Sequence, residues 1–379
     1  MSIKQDKSNW SALIVVMGGV FLSTMDSGMV NIAIPTIMRY FSLPLEVVER
    51  IVTVYLLTIT ITLVFWGRIA DRIGLKRVYL SGLFVFSLGA ALCYCSNNFS
   101  YLLFSRFVQG LGASMMMASG PAIIKSSFPK GQLGRNLGLV GIATACGLLT
   151  GPFICGNLLA HFSWRSIYIL LSTVSCLIGC CGILLFAQGF RVTKKIKSSA
   201  FDWAGGFCWV AIVLLLINLL HTVNLLSTVL ILTKALTLAG LIAIFISVER
   251  RAKHPILPLK IFAHRYFWVG TVTSSLSFAS LFSVLVLIPF YLDYIQQMTS
   301  REIGLMMMAV PGTLILLSPT AGFLYDKIGA RFLTSFGLLV SCLSLLGLSQ
   351  LTVHSSNFGI VLLLAAMGAG QSMFLSLIH

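Results

Sequence analysis

The chain has 379 residues, 58% hydrophobic and only 9% charged, with a mean hydropathy of +0.97 and a formal net charge of +16. Soluble domains carry about 25% charged residues, so this composition excludes a water-facing globular surface and makes the bilayer the fitting solvent. The positive charge does not point to nucleic acid, because it is spread over many short segments and forms no compact basic domain.

A spanning helix takes about 20 apolar residues. Lipid offers no partner to an unpaired backbone, so only helices or a closed barrel can cross it. Runs such as Trp209–Leu220 and Leu338–Leu348 lack the apolar-polar alternation of barrel strands. The expectation is therefore an all-α integral membrane protein. Twelve spans are predicted, over 11–33, 50–66, 78–96, 101–124, 137–160, 166–188, 203–224, 227–248, 266–290, 303–323, 332–352 and 358–378. Lys4 and Lys7 precede the first run as they would in a signal peptide. That run, from Ala12 to Ile34, is too long for a signal core and carries no small-residue cleavage site, so it reads as the first span.

The loops alternate sharply in charge. Lys4, Lys7, Arg68, Arg72, Lys76, Arg77, Lys125, Lys130, Arg135, Arg191, Lys194, Lys195, Lys197, Arg250, Arg251, Lys253, Lys260, Arg265, Lys327 and Arg331 fall on one side, and only Arg39, Arg50, Arg165 and Arg301 on the other. Positive loops stay inside, which predicts a cytoplasmic N-terminus in the cell membrane. The nine cysteines sit mostly within apolar runs and show no metal-ligand spacing with histidine, so they read as small packing residues. Lys234 falls within a span, where its long stem would snorkel to the interface.

One pattern occurs twice. Gly67-Arg-Ile-Ala-Asp71-Arg72-Ile73-Gly74-Leu-Lys76-Arg77 and Gly322-Phe-Leu-Tyr-Asp326-Lys327-Ile328-Gly329-Ala-Arg331 share glycine, aspartate, a base, isoleucine and glycine at the same spacing, offset by 255 residues. Transporters are commonly built from such repeats, with the substrate between the halves. Six helices and their loops fill roughly 180 to 190 residues, so the offset leaves room for two extra helices, at 203–224 and 227–248. The division expected is a six-helix half over 1–190, the two extra helices with basic flanks over 191–265, and a second half over 266–379. Four spans follow the first copy within its half and two follow the second. The chain ends in apolar sequence at Leu375-Ser-Leu-Ile-His379, and the second half is expected to be incomplete by two helices.

These motifs resemble the major facilitator superfamily, in its fourteen-helix drug:proton antiporter branch. The resemblance covers essentially the whole chain. Gly67, Asp71, Arg72, Gly74 and Arg77, with Asp326, Gly329 and Arg331 in the second copy, match the family's gating loop, which latches the halves together. Leu103-Phe-Ser-Arg106-Phe-Val-Gln109-Gly110-Leu-Gly112-Ala113 resembles the helix 4 signature and implies a role for Arg106 in proton coupling; a structural arginine held by carbonyls is the alternative. Gly147-Leu-Leu-Thr-Gly151-Pro152-Phe-Ile-Cys155-Gly156 is similar to the antiporter signature, with Cys155 where the family usually has glycine. Met25-Asp26-Ser-Gly-Met-Val30-Asn31-Ile-Ala33-Ile-Pro35 resembles the branch's helix 1 signature. Phe201-Asp202-Trp203 and His254–Phe262 are weaker matches. Pro289-Phe-Tyr-Leu-Asp293 ends the first helix of the second half, and Asp293 there is a rim charge that either recruits cations or is merely solvated.

Asp26 carries the functional expectation. Burial disfavours a charged carboxyl and a nearby arginine favours it, so the distance between Asp26 and Arg106 decides its state. The resemblance implies proton-coupled antiport exporting amphipathic or cationic drug-like compounds. Export of a specific metabolite, or a non-transporting remnant, are the alternatives. The expected partners are the bilayer, protons and a small molecule, with the proton gradient as energy source, no cofactor, and an accessory export subunit left open. No span holds a central histidine, and neither a nucleotide-binding loop nor a metal cluster is visible, so an enzyme is not expected.

Overall fold

The computed structural model describes residues 2–128, 133–187, 202–222, 228–252, 263–328 and 330–375, and every regular element among them is helical. The helices are α1 (Ser2–Phe41), α2 (Leu45–Val48), α3 (Arg50–Ile73), α4 (Leu75–Tyr94), α5 (Phe99–Ser127), α6 (Leu133–His161), α7 (Arg165–Ala187), α8 (Trp203–Thr222), α9 (Thr228–Arg251), α10 (Arg265–Phe290), α11 (Ser300–Met307), α12 (Ala309–Ile328), α13 (Ala330–Ser349) and α14 (Asn357–Leu375). A π-helical turn over Tyr291–Ile295 extends α10. Twelve stretches are long and apolar enough to cross a membrane. The short α2 leads into α3, and α11 and α12 form one crossing broken at Met308. The near side below is the one from which α1 starts, and the far side is where α1 ends.

The twelve predicted spans are all present, but several limits differ. The first runs to Phe41 instead of ending at 33, because Pro35 sits inside a continuous helix. The second runs to Ile73, so most of the predicted gating loop is the last two turns of α3. Only Gly74 separates α3 from α4, with φ 107°. That conformation suits glycine alone among common residues. Its N–H donates to the Ala70 carbonyl at 2.9 Å and its carbonyl accepts from Val78 at 3.2 Å, so one residue reverses the chain without leaving the ladder. The second copy has the same layout: α12 ends at Ile328 and α13 starts at Ala330, with Gly329 itself outside the described residues.

Packing follows from small residues. A methyl group added at Gly112 on α5 would lie 2.6 Å from the Gly82 carbonyl oxygen of α4, and one added at Gly337 on α13 would lie 2.6 Å from that of Gly370 on α14. Apolar surface gives no helix-helix driving force in lipid, so such close backbone approach supplies the contact. One core runs through α1, α3, α4, α5, α6 and α7 and continues into α10, α11, α12 and α14. The pair α8 and α9 stands apart. It packs on itself and reaches the rest through α3, where Trp209 Nε1 donates to the Thr60 carbonyl and Trp203 meets Phe65. Lys234 on α9 donates to Asn218 on α8 at 2.6 Å. Of the cysteines, Cys93 and Cys155 are buried as expected, whereas Cys95, Cys176, Cys180, Cys181 and Cys342 are exposed on the outside of the bundle.

The two glycines of the first loop should respond oppositely to substitution. Gly74→Val forces a branched side chain into a left-handed backbone and should cost about 1–3 kcal/mol. Gly67→Ala meets no atom within 4 Å and lies within α3, so it should be neutral or stabilising by up to about 1 kcal/mol. Thermal unfolding in detergent reads both; equal melting temperatures for Gly74→Val and the wild type would contradict the turn geometry.

Candidate functional site

Arg106 and Asp26 meet inside the first group of helices. Arg106 Nη1 donates to both carboxylate oxygens of Asp26, at 2.9 and 3.0 Å, and to Gln109 Oε1 at 2.7 Å. Gln109 Nε2 donates to Asp26 Oδ1 at 3.3 Å, and Arg106 Nε donates to the Ile51 carbonyl at 3.4 Å. The guanidinium lies over the Tyr55 ring, 4.3 Å from its centroid, with Tyr168 at 5.9 Å. Five helices therefore surround one ion pair: α1 with Asp26, α3 with Ile51 and Tyr55, α5 with Arg106 and Gln109, α4 with Cys93, whose thiol faces Gln109, and α7 with Tyr168. The Arg106 and Asp26 side chains are 1% and 0% exposed. The approach of Asp26 to Arg106, on which its charge state turned, is direct contact.

Residues 106 and 109 lie one helical turn apart and project from the same face, so Gln109 had a signal in the spacing. Tyr55 and Tyr168 had none, since only the tertiary fold brings them to Arg106. Among the second group, Ser277 on α10 and Gln371 on α14 make a comparable buried link: Ser277 Oγ donates to Gln371 Oε1 at 2.9 Å and Gln371 Nε2 donates back to the Ser277 carbonyl at 3.1 Å. Neither was singled out from sequence.

The residues of the antiporter signature divide between two neighbours. Gly147 and Gly151 face α1: a methyl at Gly151 would lie 2.8 Å from the Met25 carbonyl oxygen, beside the Asp26 turn. Cys155 faces α1 too, its thiol donating to the Met29 carbonyl at 3.1 Å. The Pro152 ring lies against Gly28 of α1 while its carbonyl, like Gly156, faces α11. A methyl at Gly156 would lie 2.6 Å from the Ser300 carbonyl oxygen, and one at Gly304 equally close to that of Pro152. Helix α6 thus packs on its own group with one stripe and on the second group with another.

The two groups also join through charge. Arg39 Nη1 donates to Asp293 Oδ2 at 2.9 Å on the far side. Asp293, expected at a substrate rim, is 11% exposed and occupied by this partner; Arg39 had drawn no attention beyond its place in the loop count. The named contacts between the groups, Arg39–Asp293, Gly156–Ser300, Gly304–Pro152 and Leu149–Gly312, extend from the far side toward mid-membrane. No comparable seam joins α3, α4 or α5 to α12, α13 or α14 among the described residues. Asp71 lies half-buried on the near side, with Gly67 and Gly74 half-buried and Arg72 and Arg77 exposed. Asp326 and Arg331 occupy the last turn of α12 and the first turn of α13. The gating residues are thus at the other end of the molecule from the Arg39 contact and separate from the Asp26 cluster.

Residues 16–379 match the sequence profile of the Major Facilitator Superfamily. The chain belongs to that family. Its relatives include the riboflavin transporter RibZ of Clostridioides difficile, 31% identical over 98% of this chain and 80% of that protein. The multidrug transporter protein MdtP of Bacillus subtilis is 28% identical over 97% of this chain and 67% of its own length. Among solved structures, a crystal structure of the peptide transporter POT in complex with sulfate superposes with a TM-score of 0.68 at 16% identity, covering 96% of this chain and 80% of that one. The fold is therefore the major facilitator fold, and the protein is a multi-pass membrane transporter, not an enzyme.

Removing one member of a buried ion pair strands the other, at a cost of about 3–5 kcal/mol, whereas replacing both with apolar residues of similar volume is close to neutral. Arg106→Leu should therefore lower the melting temperature in detergent strongly, and Asp26→Leu combined with Arg106→Leu should recover most of the loss. An exposed pair contributes about 0.2–1 kcal/mol. Arg39 is 57% exposed but Asp293 only 11%, so Arg39→Ala should lower the melting temperature far less than Arg106→Leu, at a cost of about 1 kcal/mol. A large loss there would show that the far-side contact is structural.

Proposed function

We propose that the protein is a proton-coupled antiporter of the fourteen-helix drug:proton branch, exporting amphipathic or cationic compounds across the cell membrane from a cytoplasmic near side. The observation that carries this reading is the Asp26–Arg106 pair, wholly buried in a membrane bundle. Ionisable residues at such depth are costly and mark ion or proton pathways. A carboxylate held by an arginine stores one exchangeable proton site. Protonation neutralises it, frees the arginine to move, and changes the net charge of the bundle interior by one unit. In the arrangement seen here Asp26 is 0% exposed, so proton exchange awaits a conformation that opens the cluster.

The seam supports alternation. It closes the far side through an ion pair whose arginine is largely solvated and a glycine crossing at α6 and α11, while the near side lacks an equivalent seam among the described residues. Contacts of about 1 kcal/mol can break and re-form during turnover, as a far-side gate must. Among the described residues Arg68, Arg72, Lys76 and Arg77 fall on the near side, which supports its being cytoplasmic. The antiporter signature and the similarity to MdtP favour drug-like substrates. The similarity to a riboflavin transporter favours a second reading, in which the same machinery moves one flavin-like metabolite.

Purified protein in proteoliposomes with an imposed pH gradient separates these readings. Ethidium should move against the proton gradient in the wild type and cease to respond to it in Asp26→Asn. Riboflavin moving in place of ethidium would select the metabolite reading. Gradient-driven movement of either probe that survives in Asp26→Asn unchanged would overturn the role of Asp26.

A further inference from the structure

We infer that Gln109 is the positioning residue that makes Asp26 protonatable, by holding Arg106 whenever Asp26 is neutral. This rests on the proton-coupled reading of Asp26 and goes beyond it.

The argument starts from what a buried guanidinium requires. Arginine stays charged and offers five N–H donors and no acceptor. In a lipid-embedded core, a donor that loses its partner finds no water to replace it. If Asp26 alone held Arg106, adding a proton to Asp26 would leave a cation without an acceptor inside the bundle. The structure supplies a standby. The contact from Arg106 Nη1 to Gln109 Oε1, at 2.7 Å, is shorter than either contact to Asp26, and the same nitrogen serves all three acceptors. Arg106 Nε keeps the Ile51 carbonyl, and the Tyr55 ring covers the guanidinium face. The arginine can therefore slacken from Asp26 without moving far.

Gln109 also touches the carboxylate itself, donating from Nε2 to Oδ1 at 3.3 Å. One amide thus bridges both members of the pair, acceptor toward the cation and donor toward the anion. On protonation the incoming proton bonds to an Asp26 oxygen and the charge-assisted N–H···O contacts to it weaken. The guanidinium then rests on Gln109 Oε1, Ile51 O and the Tyr55 ring. On release the proton leaves, and the Arg106 and Gln109 donors re-form on the bare carboxylate. No atom other than the proton is exchanged.

The titratable and charged groups around Asp26 are Arg106 from α5, Tyr55 from α3, Cys93 from α4, Tyr168 from α7 and, further off, Cys155 from α6. Asp26 is the one carboxylate among these groups. Cys93 competes for the same amide oxygen only weakly, its thiol lying 3.8 Å away.

The test reads the proton directly and needs no substrate. Infrared difference spectra of the full chain in nanodiscs, recorded across pH, should show a protonated-carboxyl band that is absent in Asp26→Asn. Gln109→Met keeps the volume and removes both the acceptor toward Arg106 at 2.7 Å and the weaker donor toward Asp26 at 3.3 Å; the stronger loss leaves Arg106 short of a partner when Asp26 is neutral. The band's pH midpoint should fall by about one unit or more, since hydrogen bonds to charged groups are worth a pH unit or two. Gln109→Asn keeps the amide but shortens its reach, and should shift the midpoint the same way by less, which guards against a misfolded methionine variant. A residue that merely packs would lower stability and leave the midpoint in place. An unmoved midpoint in both variants, with the Asp26 band present, overturns the role of Gln109 alone. Absence of any Asp26 band at every pH would sink the proton-coupled reading beneath it.

Discussion

A guanidinium inside a membrane bundle has to find all its partners within the protein, and much of the first helix group is arranged around meeting that demand for Arg106. Helices α1, α3 and α5 each contribute a polar or π contact to it, and α4 and α7 line the same cluster. The glycines that let α4 and α5 approach, and the Gly147–Gly151 stripe that seats α6 against the Asp26 turn of α1, bring these partners within reach. Bulkier residues at those crossings would widen the bundle, and a shift of about 1 Å is enough to lose a hydrogen bond. Packing and electrostatics are here a single constraint.

The contrast between the two ion pairs separates stored charge from moving parts. Asp26–Arg106 is sealed and dominated by desolvation, so its members depend on each other for stability. Arg39–Asp293 has one member largely in solvent, where attraction and hydration nearly cancel. In the proposed cycle a pair of the first kind exchanges its proton only when the bundle opens around it, and a pair of the second kind can break and re-form within each turn. Helix α6 touches both regions, with one stripe on the Asp26 turn and the other on α11 at the far-side seam. With α1, which carries both Asp26 and Arg39, it links the buried cluster to the contact between the groups.

Much of the architecture was legible because lipid imposes a simple code. Long apolar runs punctuated by charge gave all twelve crossings, and the repeated Asp71 and Asp326 patterns gave the tandem design. Helix ends were less legible: Pro35 within α1 and Gly67 near the end of α3 continue as helix, because membrane helices tolerate proline and glycine. At the site, Asp26 and Arg106 stood out as charges in apolar sequence, and the structure brings them together. Arg39 did not, because a loop arginine looks the same whether it anchors a helix end or bridges two groups. The break between α11 and α12 at Met308 had a signal that went unused: Pro311 has no N–H to give the Met307 carbonyl, so the helix breaks just before it.

Arg39 and Asp293 occupy matching positions, each four residues after an Ile-Pro step, at Pro35 and Pro289, and they are 254 residues apart where the loop copies are 255 apart. Matching positions of a tandem repeat face each other only near the axis relating the repeats. Two unaltered copies of an ancestral segment would place identical side chains there, and identical charges repel. The attraction seen across this axis therefore depends on the copies having diverged. The seam thus has its complementarity where the two repeats depart from each other.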